Sequence, residues 1–143
     1  MDEDIKKSML KTGTSIVGIK CTDGVVLAAD RQVSAGTLVV GKNYQKIIRI
    51  NDKLLTAITG GVSDAQLLMR VLSAELKLKE LKSRSSATVK ESASLLAYLT
   101  FRNIRSPSMI PSIVGSLVAG LNPDGEAKLY TIEPAGAVSE VED

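Results

Sequence analysis

The amino-acid sequence predicts an α+β fold in which strands come first, two consecutive helices follow, and strands return at the end. Short apolar or alternating runs between turn residues occupy 15–60 and 113–141. Between 63 and 105, apolar residues instead recur at steps of three and four. With 143 residues, the chain is long enough for one domain with a core of its own.

The first part of the chain is typical of strands joined by tight turns. Strands are predicted from Ser15 to Lys20 and from Val25 to Ala29, with Thr22-Asp23-Gly24 as the hairpin turn between them. Because the second run is almost wholly apolar, it is expected to be buried on both faces. Further extended stretches are predicted at 32–40, with a kink or turn at Gly36, and at 44–50 and 54–59.

Two helices are predicted next. The first is expected to begin at an N-cap, Ser63, and the second at a capping box formed by Thr88 and Glu91. Ser106-Pro107 ends the second helix. The apolar row predicted to form the buried stripe of the first helix is Leu67, Val71, Ala74, Leu78 and Leu81.

The last third of the chain is predicted to return to strands, at 113–121, 128–132 and 137–141. Asn122-Pro123-Asp124-Gly125 is the turn between the first two, because proline presets φ and glycine accepts a positive φ.

The composition excludes several kinds of site. With no histidine and one cysteine, the chain cannot form a Ser-His-Asp or Cys-His catalytic site, a histidine- or thiolate-ligated metal centre, or an internal disulfide. Its net charge of +2 gives no reason to expect nucleic-acid or membrane-surface binding, and no apolar run reaches membrane-spanning length. No secretory signal is recognisable either, so a reduced, cytoplasmic location is predicted.

Three features could carry chemistry. The N–H groups of Gly60-Gly61 could bind an anion or an oxyanion, or the glycines could simply let the chain turn. Asp30 and Lys46 are each more often solvated charges, but together they could form a desolvated ion pair. Thr14 is by default a strand former. Without histidine, however, a hydroxyl nucleophile needs a lysine or its own terminal amine as base.

In their order and spacing, four motifs resemble the archaeal-type β subunits of the 20S proteasome. They are Gly13-Thr14-Ser15-Ile16-Val17-Gly18-Ile19, Asp23-Gly24-Val25-Val26-Leu27-Ala28-Ala29-Asp30, Asn43-Tyr44-Gln45-Lys46-Ile47 and Gly60-Gly61-Val62-Ser63-Asp64-Ala65-Gln66. The resemblance runs from about Thr14 to the last residue. It implies the αββα sandwich of the N-terminal-nucleophile hydrolases. Residues 14–143 would form only the N-terminal part of that domain, and a further serine and aspartate would follow Asp143.

The resemblance also implies roles for individual residues. Residues 1–13 would be a leader, cut after Gly13 so that Thr14 becomes an N-terminal nucleophile. Asp30 and Lys46 would be the charged pair beside it, and the Gly60 N–H would bind the oxyanion. An extended substrate would pair with the backbone at Ser34. The residues implied to line a pocket for an apolar side chain before the cut bond are Val33, Tyr44, Ile48, Ile58 and Val62.

The implied function is threonine-type endopeptidase activity on unfolded polypeptides, with neither cofactor nor metal. The implied partners are proteasome α subunits, other β subunits and a regulatory ATPase acting through the α ring. Two alternatives stay open. One is a non-catalytic or immature structural subunit of the same particle, whose leader is never removed. The other is a small anion- or nucleotide-binding domain that uses Gly60-Gly61, although that loop has no GK[ST] sequence.

Overall fold

The computed structural model describes residues 14–35, 38–107 and 113–142, which confirm the α+β prediction. The two helices, α1 (Val62–Ser83) and α2 (Val89–Arg105), follow each other in the middle of the chain. No helix in these ranges is long and apolar enough to cross a membrane. The strands are β1 (Ile16–Lys20), β2 (Val25–Ala29), β3 (Val33–Ala35), β4 (Leu38–Gly41), β5 (Ile47–Asn51), β6 (Leu54–Gly60), β7 (Val114–Leu121), β8 (Ala127–Ile132) and β9 (Val138–Glu140).

The described strands form one five-stranded antiparallel sheet, in the order β5-β6-β7-β8-β9, and two separate hairpins, β1–β2 and β3–β4. The stretch predicted as extended at 32–40, with a kink or turn at Gly36, is two paired strands, with Ser34 opposite Val39. Gly36 itself lies outside the described residues. The five strands follow one another in space as in sequence, and the helices intervene between β6 and β7.

The helices and the β1–β2 hairpin cover opposite faces of the five-stranded sheet. Side chains alternate between the two faces along β7. Val118 packs with Leu72 and Leu96 of the helices in the hydrophobic core, whereas Leu117 lies against Gly18 of β1. The helices thus form one α layer, and the five-stranded sheet and the β1–β2 hairpin form two β layers. These are three of the four layers of the expected αββα sandwich.

The β2 strand is not buried on both faces, so that prediction was wrong. Leu27 is half-buried toward the sheet, whereas Val26 is 56% exposed on the outer side. The pairs Val17–Ala28 and Ile19–Val26 form an apolar outer face on the hairpin. An apolar run predicts burial of both faces, but it does not show which part of a protein would cover each face.

The buried stripe predicted for α1 was also wrong. The residues of α1 that are buried are Ala65, Leu68, Met69, Leu72 and Leu76. Of the predicted stripe, Leu67, Ala74, Leu78 and Leu81 are exposed and Val71 is half-buried. At 3.6 residues per turn, these two rows lie on roughly opposite sides of the helix. Both rows have helical spacing, so periodicity alone could not select the one that packs on the sheet.

The predicted start of α1 was wrong by two residues, and the predicted start of α2 is confirmed. The first residue of α1 is Val62, and Gly61 rather than Ser63 is its N-cap, without a side-chain hydrogen bond. In α2, the Thr88 hydroxyl accepts a hydrogen bond from the Glu91 N–H at 3.1 Å. The Glu91 carboxylate pairs with Lys79, which links the two helices.

The turn between β7 and β8 has the predicted geometry. The Gly125 N–H donates to the Asn122 carbonyl oxygen at 2.8 Å, and Gly125 has a φ of 90°. This turn aligns β8 along β7, and β8 brings Leu129 to the sheet face that meets the hairpin.

Candidate active site

Thr14, Asp30 and Lys46 meet in space, although they lie in three different parts of the chain. The buried Lys46 ammonium donates to Thr14 Oγ1 at 3.3 Å and to Asp30 Oδ2 at 2.7 Å. Lys46 is only 5% exposed, and the Ile58 N–H of β6 donates to its carbonyl oxygen at 3.0 Å. The strand that follows Lys46 and the neighbouring strand β6 therefore hold this cation against the start of β1.

The backbone of the first hairpin holds Asp30 in place. Its Oδ1 accepts from the Ser15 N–H at 2.9 Å, and its Oδ2 accepts from the Gln32 N–H at 3.1 Å. The hydrogen bond from Lys46, followed by the one from Ser15, lowers the pKa of Asp30 to about 2. The carboxylate is therefore charged at neutral pH and keeps the Lys46 ammonium directed at Thr14.

Gly60 ends β6 beside the same group of residues. Its φ of 109° lies in the region that favours glycine, and a Cβ atom there would overlap the Ile113 carbonyl oxygen. The next residue, Gly61, donates its N–H to that same oxygen at 3.2 Å. Glycine is thus required at position 60 by the fold, whether or not its N–H binds an oxyanion.

A small cavity of about 40 Å³ opens beside Thr14. It has room for no more than a few water molecules. Ile48, the remaining residue predicted to line the pocket, packs against the hydrophobic core instead of lining this cavity. The predicted site residues that line the cavity are Thr14, Val33, Tyr44, Lys46, Ile58, Gly60 and Val62.

Sequence reasoning missed several residues at this cavity. Gln32, Thr59 and Ala65 also line it. The first two are chain neighbours of residues that were predicted, and Ala65 lies in the first turn of α1 on its buried side. Gln66 was quoted in a motif but given no role, yet its Nε2 donates to the Tyr44 hydroxyl at 3.0 Å.

Two further residues were predicted to take part in the site, Ser34 and Gly13. Ser34 lies in β3, where its backbone pairs with β4. Gly13, the predicted residue before the cut, and the predicted leader at 1–13 lie outside the described residues. Their roles, like those of the other site residues, stay predictions.

Similarity to known proteins extends over most of the chain. Residues 10–143 match the family model described as "Proteasome subunit". A "Proteasome subunit beta" of Nanoarchaeum equitans is 43% identical over 130 residues, which are 91% of this chain and 64% of that protein. One from Methanobrevibacter smithii is 41% identical, over 90% of this chain and 59% of that protein.

A "Proteasome subunit beta 2" of Pyrococcus abyssi is also similar, at 41% identity over 90% of this chain and 59% of that protein. The chain thus spans between 59 and 64% of the length of these curated relatives. Because the family model matches nearly all of the sequence, the chain belongs to the proteasome subunit family.

Proposed function

We propose that this chain carries the nucleophile of a threonine-type endopeptidase, a β subunit that cleaves unfolded polypeptides inside a 20S particle in the cytoplasm. The observation that supports this proposal best is the Lys46 ammonium, which donates to both Thr14 Oγ1 and Asp30 Oδ2. A buried cation hydrogen-bonded to a hydroxyl lowers the free energy of the alkoxide. This arrangement suits a nucleophile better than it suits a structural threonine.

The chemistry begins with removal of residues 1–13, which gives Thr14 a free amine. Thr14 Oγ1 then attacks the substrate carbonyl carbon, and the amine, directly or through a water, accepts the hydroxyl proton. Lys46 stabilises the charge on Oγ1, and the Gly60 N–H binds the oxyanion of the tetrahedral intermediate. That intermediate collapses as the amine returns its proton to the leaving nitrogen, and water hydrolyses the ester left on Thr14.

Substrate selection in this proposal rests on the cavity beside Thr14. Val33, Ile58 and Val62 offer no charge there, so the preferred residue before the cut bond is apolar. Because the cavity is small, a large side chain has to widen it. The Tyr44 side chain that lines it is held by the hydrogen bond from Gln66 of α1. The substrate backbone would extend along Ser34.

The partners in this proposal are α subunits, other β subunits and a regulatory ATPase that acts through the α ring. The anion-binding alternative is weakened by the structure, because the Gly61 N–H already donates to the Ile113 carbonyl oxygen. In the structural-subunit alternative the leader is never removed, which can be measured directly.

The proposal is tested by mass spectrometry of the chain after assembly with its α partner. The wild-type chain is expected to begin at Thr14, and Thr14→Ala is expected to keep all of residues 1–13. Thr22→Ala, an exposed threonine in the hairpin turn, is the matched control and should be processed normally. Cleavage of the Thr14→Ala chain after Gly13, in a particle without another active subunit, would rule out self-processing.

A further inference from the structure

The cavity beside Thr14 is narrow, and several of its walls are fixed by the rest of the fold. Its volume of about 40 Å³ holds no more than a few water molecules. Two of the walls, Ile58 and Ala65, are 3 and 1% exposed and belong to the hydrophobic core. Because protein interiors are close-packed, such side chains cannot move aside without opening gaps around them. The Lys46 wall is buried as well, and its ammonium donates to Thr14 and Asp30. A larger occupant therefore has to displace a wall outside the core.

Tyr44 is a wall that is held in a different way. Its backbone N–H donates to the Arg31 carbonyl oxygen at 2.8 Å, which fixes the main chain at this position. Its half-buried side chain is held through the hydroxyl oxygen, which accepts from Gln66 Nε2 at 3.0 Å. Gln66 is exposed on α1, so water can replace either partner when this hydrogen bond breaks. The Tyr44 side chain is thus a wall that can move at small cost, and Gln66 holds it in place.

A cavity of this volume distinguishes apolar side chains by their size. A valine side chain has about the bulk of a few water molecules, whereas the benzyl group of phenylalanine is much larger. Forcing a group that is too large into a packed site strains the side chains around it. A benzyl group therefore fits only after the Tyr44 side chain has moved away from Gln66. The loss of that hydrogen bond then weakens the binding of phenylalanine but not that of valine.

We propose that Gln66 is a positioning residue, whose hydrogen bond to Tyr44 sets an upper limit on the size of the side chain before the cut bond. The substrate class is then a polypeptide with a small aliphatic residue, such as valine, at that position. Among the described residues, Gln66 contacts Tyr44 but does not line the cavity, so it acts through the tyrosine. This inference rests on the proposed function and narrows it, because an apolar pocket alone does not separate valine from phenylalanine.

The first test compares two fluorogenic peptides that differ only in valine or phenylalanine before the cut bond. Leaderless assembled wild-type particles are expected to favour the valine peptide in kcat/KM by about tenfold or more. Tyr44→Phe keeps the ring and removes the hydroxyl, so it should raise the phenylalanine-to-valine ratio of kcat/KM about three- to tenfold, as expected for one hydrogen bond. Gln66→Ala should raise the ratio by a similar factor. A wild-type preference for phenylalanine, or a wild-type ratio in both variants, would overturn the proposal.

Three further variants show whether the hydrogen bond itself sets the ratio. The double variant Tyr44→Phe, Gln66→Ala should change the ratio no more than either single variant, because both remove the same hydrogen bond. Gln66→Glu should keep a ratio near that of wild type, since its carboxylate can accept from the Tyr44 hydroxyl. Tyr98→Phe, at a tyrosine that is 56% exposed on α2, is the matched control and should keep the wild-type ratio. Effects that multiply in the double variant, or a Gln66→Glu ratio equal to that of Gln66→Ala, would contradict the proposal.

A binding measurement separates this inference from the proposed function. Peptide amides that end in valine or phenylalanine are titrated into the same particles by calorimetry, which requires no bond cleavage. The ratio of their Kd values should show the same preference and the same shifts among the variants. Particles that bind with this preference but cleave no peptide would overturn the proposed function and support the size limit. Particles that cleave peptides with one ratio in wild type and all variants would overturn the size limit alone, and particles that neither bind nor cleave would overturn both.

Discussion

At the scale of single residues, Lys46 connects the parts of the candidate site. Its ammonium reaches both Thr14 on the hairpin and Asp30 at the end of β2, while its backbone belongs to the segment that leads into β5. Burial excludes water from the ammonium, which strengthens its effect on charge that develops at Oγ1. The Asp30 carboxylate, in contrast, is one-third exposed, so it can stay solvated if Lys46 is removed.

Lys46→Ala is therefore expected to keep the fold and to lose most of the activity. By analogy with removing one donor from an oxyanion site, kcat should fall on the order of 10²-fold or more. Lys46→Arg should also be severely impaired, because a guanidinium differs from an ammonium in shape and reach. The measurement is peptide hydrolysis by leaderless assembled particles, with assembly checked separately.

The exposed Lys53→Ala is a matched control for the loss of one positive charge and should hydrolyse peptides at the wild-type rate. If Lys46→Ala particles hydrolysed peptides as fast as wild type, Lys46 would have only a structural role.

The lowered pKa of Asp30 leads to a second prediction, which concerns the pH dependence of the free energy of unfolding. Its pKa is lowered from 3.8 to about 2 in the folded chain, so protons bind the unfolded chain more tightly. Its contribution to stability is present above about pH 4 and is lost as the pH falls toward 2. The difference in free energy of unfolding between wild type and Asp30→Asn should therefore be largest near neutral pH and should shrink on acidification.

Urea unfolding at pH 6, 4 and 2.5 measures this difference. Asp23→Asn, at an exposed carboxylate in the hairpin turn, controls for the loss of one negative charge. A difference that grew as the pH fell would show that the Lys46 pair does not stabilise the folded chain.

At the scale of elements, α1 shows what can and cannot be predicted from an apolar pattern. Local chemistry was sufficient where it acts locally, at the Thr88 cap and at the turn at Gly125. The grouping of Thr14, Asp30 and Lys46, which are distant in sequence, was instead implied by the family resemblance of the motifs that contain them. The choice between the two apolar rows of α1 depends on which other surface each row meets, and that surface is distant in sequence. The same reason explains the error on β2.

The two rows of α1 should respond differently to truncation. Leu72 is fully buried, so Leu72→Ala should lower the free energy of unfolding by about 2 to 5 kcal/mol. Leu78 is 46% exposed, so Leu78→Ala should change it by no more than about 0.5 kcal/mol. The free energies of unfolding of the two variants are compared by urea unfolding under one set of conditions. Equal losses would show that Leu78 belongs to the core.

At the scale of the whole molecule, the candidate site lies between two β layers that are not joined in one sheet. Thr14 precedes β1 and Asp30 follows β2, at the open end of the hairpin. Lys46 precedes β5 and Gly60 is the last residue of β6, and both strands belong to the five-stranded sheet. Gly18 lies where the layers touch. A Cβ atom at Gly18 would lie 3.1 Å from the Leu27 side chain and 3.2 Å from those of Leu117 and Leu129.

Gly18→Val is therefore expected to push the hairpin from the sheet and to lower kcat, although Gly18 is not a residue of the cavity beside Thr14. Gly18→Ala should have a smaller effect, since one methyl group requires its neighbours to move by only a few tenths of an ångström. Gly24→Ala, where a Cβ atom would meet nothing within 4 Å, is the matched control. Wild-type kcat in folded Gly18→Val particles would show that the spacing of the layers does not set the rate.

The separation of the two β layers has a consequence for how such a chain can diverge. The distance from the Lys46 ammonium to Thr14 Oγ1 spans the boundary between the layers. It therefore changes whenever the spacing between the β1–β2 hairpin and the five-stranded sheet changes. Side-chain volume at Gly18, Leu117 or Leu129 can then adjust catalysis gradually while every reacting group stays the same. Paralogues with identical catalytic residues could work at different speeds, and the cause would lie in interior positions that carry no chemistry.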